Sequence, residues 1–90
     1  MDMNQFNKTV VRTETASEIT FDVRPFGDQQ GDAVDSYLHA RLLVGQNTGI
    51  GMTTRLVVIL CDAAAAIPQS AERWLAMLNA KGAPTEVRRA

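Results

Sequence analysis

The residue best placed for chemistry is Asp62, which directly follows the apolar run Leu56–Cys61. In open α/β sheets ligands gather beyond the carboxyl ends of the strands, so an aspartate there can hold a metal, act as a base or bind a ligand hydroxyl. The same position suits a solvated strand-end acid, or a cap for a helix beginning at Ala63. No second carboxylate or histidine lies nearby in sequence, so Asp22 or Asp28 could join it only across a sheet. His39 is the only histidine, which excludes a multi-histidine metal site. It stands four residues after Asp35, the spacing of a surface ion pair on a helix. Cys61 at the end of an apolar run is expected to act as a small hydrophobe. Reactivity would require exposure and a lowered pKa, with His39 or Arg55 close by. Ser17, Ser36 and Ser70 all lack the strand–turn–helix context of a nucleophile elbow. If the chain is an enzyme, its site is expected around Asp62, Cys61 and His39.

Two further constellations bear on binding. The glycine-containing stretch 45–51 resembles a phosphate cradle, but the pattern places a helix before it and a strand after it. Phosphate-binding turns run from strand to helix, so this stretch reads as a connection and no cofactor is expected. Trp74 and Met77, with Arg73 beside them, lie on the second predicted helix. Trp74 belongs to its apolar stripe, and if the sheet leaves it exposed it becomes an interface anchor. Met52, Met77 and Leu43 could extend such a patch.

The elements that must carry these residues follow from periodicity. Residues 1–8 are polar and aperiodic and are expected to form a flexible tail, leaving 9–90 as a single compact domain. A short strand is predicted over 9–13. Over 18–26, Ile19, Phe21 and Val23 alternate with Thr20, Asp22 and Arg24, the period of a half-buried strand. Thr15, Ala16 and Ser17 between these runs predict a hairpin. Asp32 can cap the helix that follows, Asp35 favours its positive end, and Val34, Tyr37, Leu38 and Leu42 form its buried stripe. Gly45 is the expected stop. The β-branched run over 53–61 reads as a central strand flanked on both faces. Pro68 suits a first helical turn, Ala71, Trp74, Leu75 and Leu78 make a second stripe, and Gly82 and Pro84 end it. A last short strand is predicted over 85–88. The expected fold is a two-layer α/β sandwich in the order β-β-α-β-α-β, with two helices on one face of a four-stranded sheet.

The C-terminal half resembles the C-terminal domain of the bacterial ribosomal stalk protein. Phe21-Asp22-Val23, Thr48-Gly49-Ile50-Gly51-Met52, and Ala71-Glu72 with Gly82-Ala83 and Glu86-Val87 carry the resemblance. It implies a compact α/β shape and a helix over 53–65, where the β-branched composition implies a strand. In that family translation factors bind a basic helix before the glycine loop. Here the corresponding helix offers Arg41 alone, so factor binding is not carried over.

The totals narrow the function classes. Ninety residues make one domain, and 46% hydrophobic with 21% charged is an ordinary globular composition that argues against disorder. So short a chain buries only about two-thirds of its unfolded surface, which makes a covering partner or self-association a reasonable expectation. The net charge is −1. Residues 1–45 hold seven acids against four bases, and 46–90 three against five; Lys81, Arg88 and Arg89 are too few for a nucleic-acid patch. The single Cys61 fits a reducing compartment, no apolar run reaches the ~20 residues of a membrane span, and the first residues lack a signal pattern. The expectation is a cytoplasmic protein–protein interaction module, adaptor, regulator or inhibitor, contacting another protein or itself. A small enzyme or enzyme subunit around Asp62, or a homo-oligomeric structural subunit, are the alternatives.

Overall fold

The β-branched run ahead of Asp62 is a strand, β3 (Leu56–Cys61), and it lies inside the sheet. The computed structural model describes residues 2–48 and 55–90. β3 pairs in parallel with β2 (Glu18–Asp22) on one side and β4 (Thr85–Arg89) on the other. β1 (Val11–Glu14) adds antiparallel to β2, so the order is β1-β2-β3-β4 with β1 and β4 as edges. Val57, Val58 and Ile59 are all buried, the two-sided burial that a central strand demands of its composition. Residues 53 and 54 of the expected strand, and residues 49–51 of the expected glycine loop, lie outside the described residues.

The hairpin between β1 and β2 closes where Thr15 turns the chain. Its backbone N–H donates to Glu18 O at 2.8 Å, and its Oγ1 accepts the Glu18 N–H at 3.0 Å. Two parallel crossovers then run through α2 (Gln30–Thr48) and α3 (Gln69–Ala80), packed side by side on one sheet face. Val34, Leu38 and Leu42 of α2, and Ala71 and Leu78 of α3, meet Val57, Ile59 and Cys61 in one core. On the other face, Val58 is buried with Thr20 and Glu86 as its register partners. An ion pair between Glu18 of β2 and Arg88 of β4, 3.4 Å apart, spans β3 on that side.

α3 ends as its sequence predicts. Gly82 takes φ +82°, Ala83 N–H donates to Leu78 O at 3.0 Å, and Gly82 N–H to Asn79 O at 3.1 Å. This pair of bonds satisfies the last carbonyls of the helix and needs a left-handed residue at position 82.

Four expectations are corrected. The N-terminal segment is not a tail: α1 (Met3–Thr9) is capped by Asp2, whose Oδ1 accepts the Gln5 N–H at 2.8 Å. Its Phe6 is fully buried, stacked 5.1 Å from Tyr37 and 5.8 Å from Phe26. The strand expected over 18–26 stops at Asp22, because Asp22 Oδ1 captures the Arg24 N–H and Pro25 opens a 3₁₀ segment (Arg24–Gln29) that kinks at Gly27, where φ is +60°. That segment leads directly into α2, so Asp32 lies inside the first turn rather than at a cap. α2 continues through Gly45 to Thr48, since one glycine costs a helix only about 1 kcal/mol.

Candidate functional site

Asp62 emerges from the carboxyl end of β3 beside the start of α2, and Gln30 at that start meets it. The Gln30 Oε1 accepts the Asp62 backbone N–H at 2.8 Å, and its Nε2 donates to Asp62 Oδ2 at 2.8 Å. The same Nε2 donates to Gly27 O at 2.8 Å, so the buried amide is fully engaged. Asp62 itself stays exposed, on a shallow cleft of about 420 Å³ formed with Gly27, Asp28, Gly31 and the alanines 64–66. Asp22, at the end of the neighbouring parallel strand, is occupied by Arg24 in a two-pronged pair, Nε–Oδ1 3.0 Å and Nη2–Oδ2 2.8 Å. That guanidinium holds the Asp22 carboxyl below its ordinary value against the opposing effect of burial.

The three residues expected to form an enzyme site are not gathered. Cys61 points into the core, where its Sγ lies 3.7 Å from Arg88 O. Burial raises its thiol pKa above the ordinary value, Asp62 adds to the rise and Arg89 opposes it, the reverse of an activated nucleophile. His39 is nine residues beyond Gln30 on α2, about 13 Å of helical rise from the Asp62 contact. Among the described residues no group of three or more His, Cys, Asp and Glu side chains is arranged to hold a metal. No helix is long and apolar enough to cross a membrane, again among the described residues.

His39, on α2, instead packs against α3. Its ring stacks on Trp74 with centroids 4.4 Å apart and planes 11° from parallel. The Asp35 carboxylate, expected to pair with His39, turns to α3 as well: Ser70 Oγ donates to its Oδ1 at 2.6 Å and Trp74 Nε1 at 3.0 Å. Trp74 is thus half-buried and hydrogen-bonded, with one ring face covered by an exposed imidazole. One turn further along the two helices, Leu43 and Met77 are 44% and 36% exposed, although Leu42 and Leu78 beside them are buried. Arg73 is exposed on α3. The seam between α2 and α3 therefore combines a locked aromatic pair with two exposed aliphatic side chains.

The local sequence singles out Asp62 and Trp74 as candidates but carries no sign of Gln30 as the partner of Asp62, or of Asp35 as the acceptor shared by Ser70 and Trp74. Those contacts join positions 32 to 39 residues apart, beyond any local pattern. A second cleft, about 180 Å³, lies between α3 and the edge strand β4, lined by Ile67, Ala71, Glu72, Leu75, Val87 and Arg89. No family model, curated protein or solved structure matches this chain.

Proposed function

We propose that the chain is a small cytoplasmic protein–protein interaction module, an adaptor, regulator or inhibitor of a larger assembly, contacting its partner through the α2–α3 seam. The observation that carries this reading is the His39–Trp74 stack with Leu43 and Met77 exposed one turn beyond it. Interface anchors are aromatic and aliphatic groups held rigidly and ringed by polar residues, because a fixed side chain loses little entropy on binding. Asp35 fixes Trp74 through its Nε1, and Arg73 and His39 supply a polar surround. The single buried cysteine fits a reducing compartment.

The test uses exposed positions, because Trp74 also supports the fold. Wild-type chain and the Leu43→Glu/Met77→Glu variant are immobilised and compared for stoichiometric protein capture from host lysate. A partner retained by wild type and lost by the variant, with the unfolding midpoint unchanged, supports the seam. Equal capture by both assigns the contact to another surface.

A further inference from the structure

The free edge of β4 has a built-in polarity. Pro84 O accepts the Val57 N–H, and Ala90 both donates to Cys61 O and accepts from Ala63 N–H. Residues two apart along a strand turn their backbone the same way, so Glu86 and Arg88 also face β3. Thr85, Val87 and Arg89 therefore direct their N–H and C=O groups away from the sheet. At Thr85 these groups are already taken: Asn79 Oδ1 accepts its N–H at 3.1 Å, and Asn79 Nδ2 donates to its carbonyl at 2.9 Å. The Asn79 amide makes there the two bonds that a fifth strand would make. Only Val87 and Arg89 are left to pair with an incoming chain, and both line the cleft against α3.

We propose that this groove takes up an extended segment of another protein by strand addition to β4, antiparallel and only a few residues long. The register places one side chain of the segment opposite Val87, facing Ile67, Ala71 and Leu75 of the cleft, which fits an aliphatic residue. Two residues earlier in the segment, a side chain on the same face lies opposite Arg89. Arg89 Nη1 is fixed by the carbonyls of Ala63 and Ala65 at 3.0 and 2.7 Å, and no carboxylate of the described residues lies within ion-pair distance of it. Glu72 lines the same cleft but does not pair with Arg89, so a carboxylate from the segment suits that position and the recognised pattern is acidic, any residue, aliphatic.

A second copy of the chain fits the edge less well. Symmetric pairing centred on Val87 sets Glu86 opposite Arg88 of the second copy, but it requires the Thr85 groups that Asn79 occupies. Pairing centred on Arg88 uses the free groups but sets two arginines directly opposite each other, a repulsion that each offsets only through its own Glu86 and Glu18. The groove is separate from the α2–α3 seam and stands whether or not the seam binds.

The full chain is used to select binders from a displayed library of random octapeptides. The selected peptides are then synthesised and titrated while backbone amide exchange is followed residue by residue. The expected result is enrichment of the acidic-x-aliphatic pattern, with slowed exchange at Val87 and Arg89. Arg89→Glu, at an exposed position, weakens these peptides by about tenfold, the scale of one charge-assisted hydrogen bond. Leu75→Gln weakens them too, while Leu43→Glu/Met77→Glu leaves them unchanged. Failure to enrich any pattern overturns the proposal, as does binding indifferent to Arg89→Glu and Leu75→Gln. Concentration-dependent protection of Val87 and Arg89 in the chain alone also overturns it, in favour of self-pairing.

Discussion

Gly31 and Ala66 approach so closely that a Cβ on Gly31 would overlap the Ala66 carbonyl oxygen and press on Pro68 Cδ at 3.2 Å. The contact pins the first turn of α2 against the connection between β3 and α3. Two backbones meet there, and neither can yield as a flexible side chain would.

Gly31→Ala is therefore expected to destabilise the fold, although alanine ordinarily favours a helix by about 1 kcal/mol. Relieving the overlap requires a backbone shift, and overpacking of this kind costs about 1–3 kcal/mol. Urea unfolding followed by circular dichroism checks the sign. A gain in stability would mean that the loop moves aside freely.

Asp35 holds two donors on one oxygen. Asp35→Ala leaves Ser70 Oγ and Trp74 Nε1 without their acceptor, at a cost of about 1–3 kcal/mol. Asp35→Asn keeps an acceptor oxygen and should recover part of the loss. Trp74 is the only tryptophan, so its emission reports the change directly in both variants.

Gln30→Leu tests the clasp on Asp62. The buried amide joins the strand end to the helix start, and its loss leaves the Asp62 backbone N–H unsatisfied. A destabilisation of about 1–3 kcal/mol is expected, with faster exchange of the Asp62 amide. Asp62→Ala keeps that backbone bond and should cost less, an ordering that paired denaturation curves resolve.

The pH dependence follows from one buried acid, Cys61, and one partly buried acid, Tyr37. Burial raises Tyr37 above its ordinary 10.0, against the pull of Arg41 and Arg12, and raises Cys61 above its ordinary 9.0. Both are held neutral in the fold but ionise sooner in the unfolded chain. Their contribution is thus fully present below pH 9 and is lost progressively as pH rises through 9 and 10 toward the folded values. At the acid end, Asp22 sits below its ordinary 3.8 through its bonds to Arg24, and its contribution fades as pH falls below that value. Unfolding midpoints should form a plateau that declines at both ends; a midpoint still rising at pH 10.5 would contradict the alkaline limb.

Much of this architecture is legible in the residues themselves. The alternation of Ile19 and Phe21 marks a strand face, and Val57, Val58 and Ile59 mark a strand covered on both faces. The stripes Val34–Leu38–Leu42 and Ala71–Leu78 mark two helices, and Gly82 marks the left-handed end of the second. Each is a local periodic or steric signal, written within one or two turns of chain. The first helix escapes such reading because Phe6 is its only buried residue, and one aromatic has no period.

What the residues alone determine is the order of the four strands and the two long helices, the faces these must bury, and Asp62 at a strand end. Tertiary structure decided the rest, because partners brought together by chain reversal leave no mark in local sequence. Phe6 finds Tyr37 and Phe26, Asp35 turns from its helical neighbour His39 to Ser70 and Trp74, and Gln30 reaches Asp62. Packing of α2 on α3 makes His39 a cover for Trp74. Sheet order makes β4 an edge, and Asn79 decides which of its backbone groups remain open.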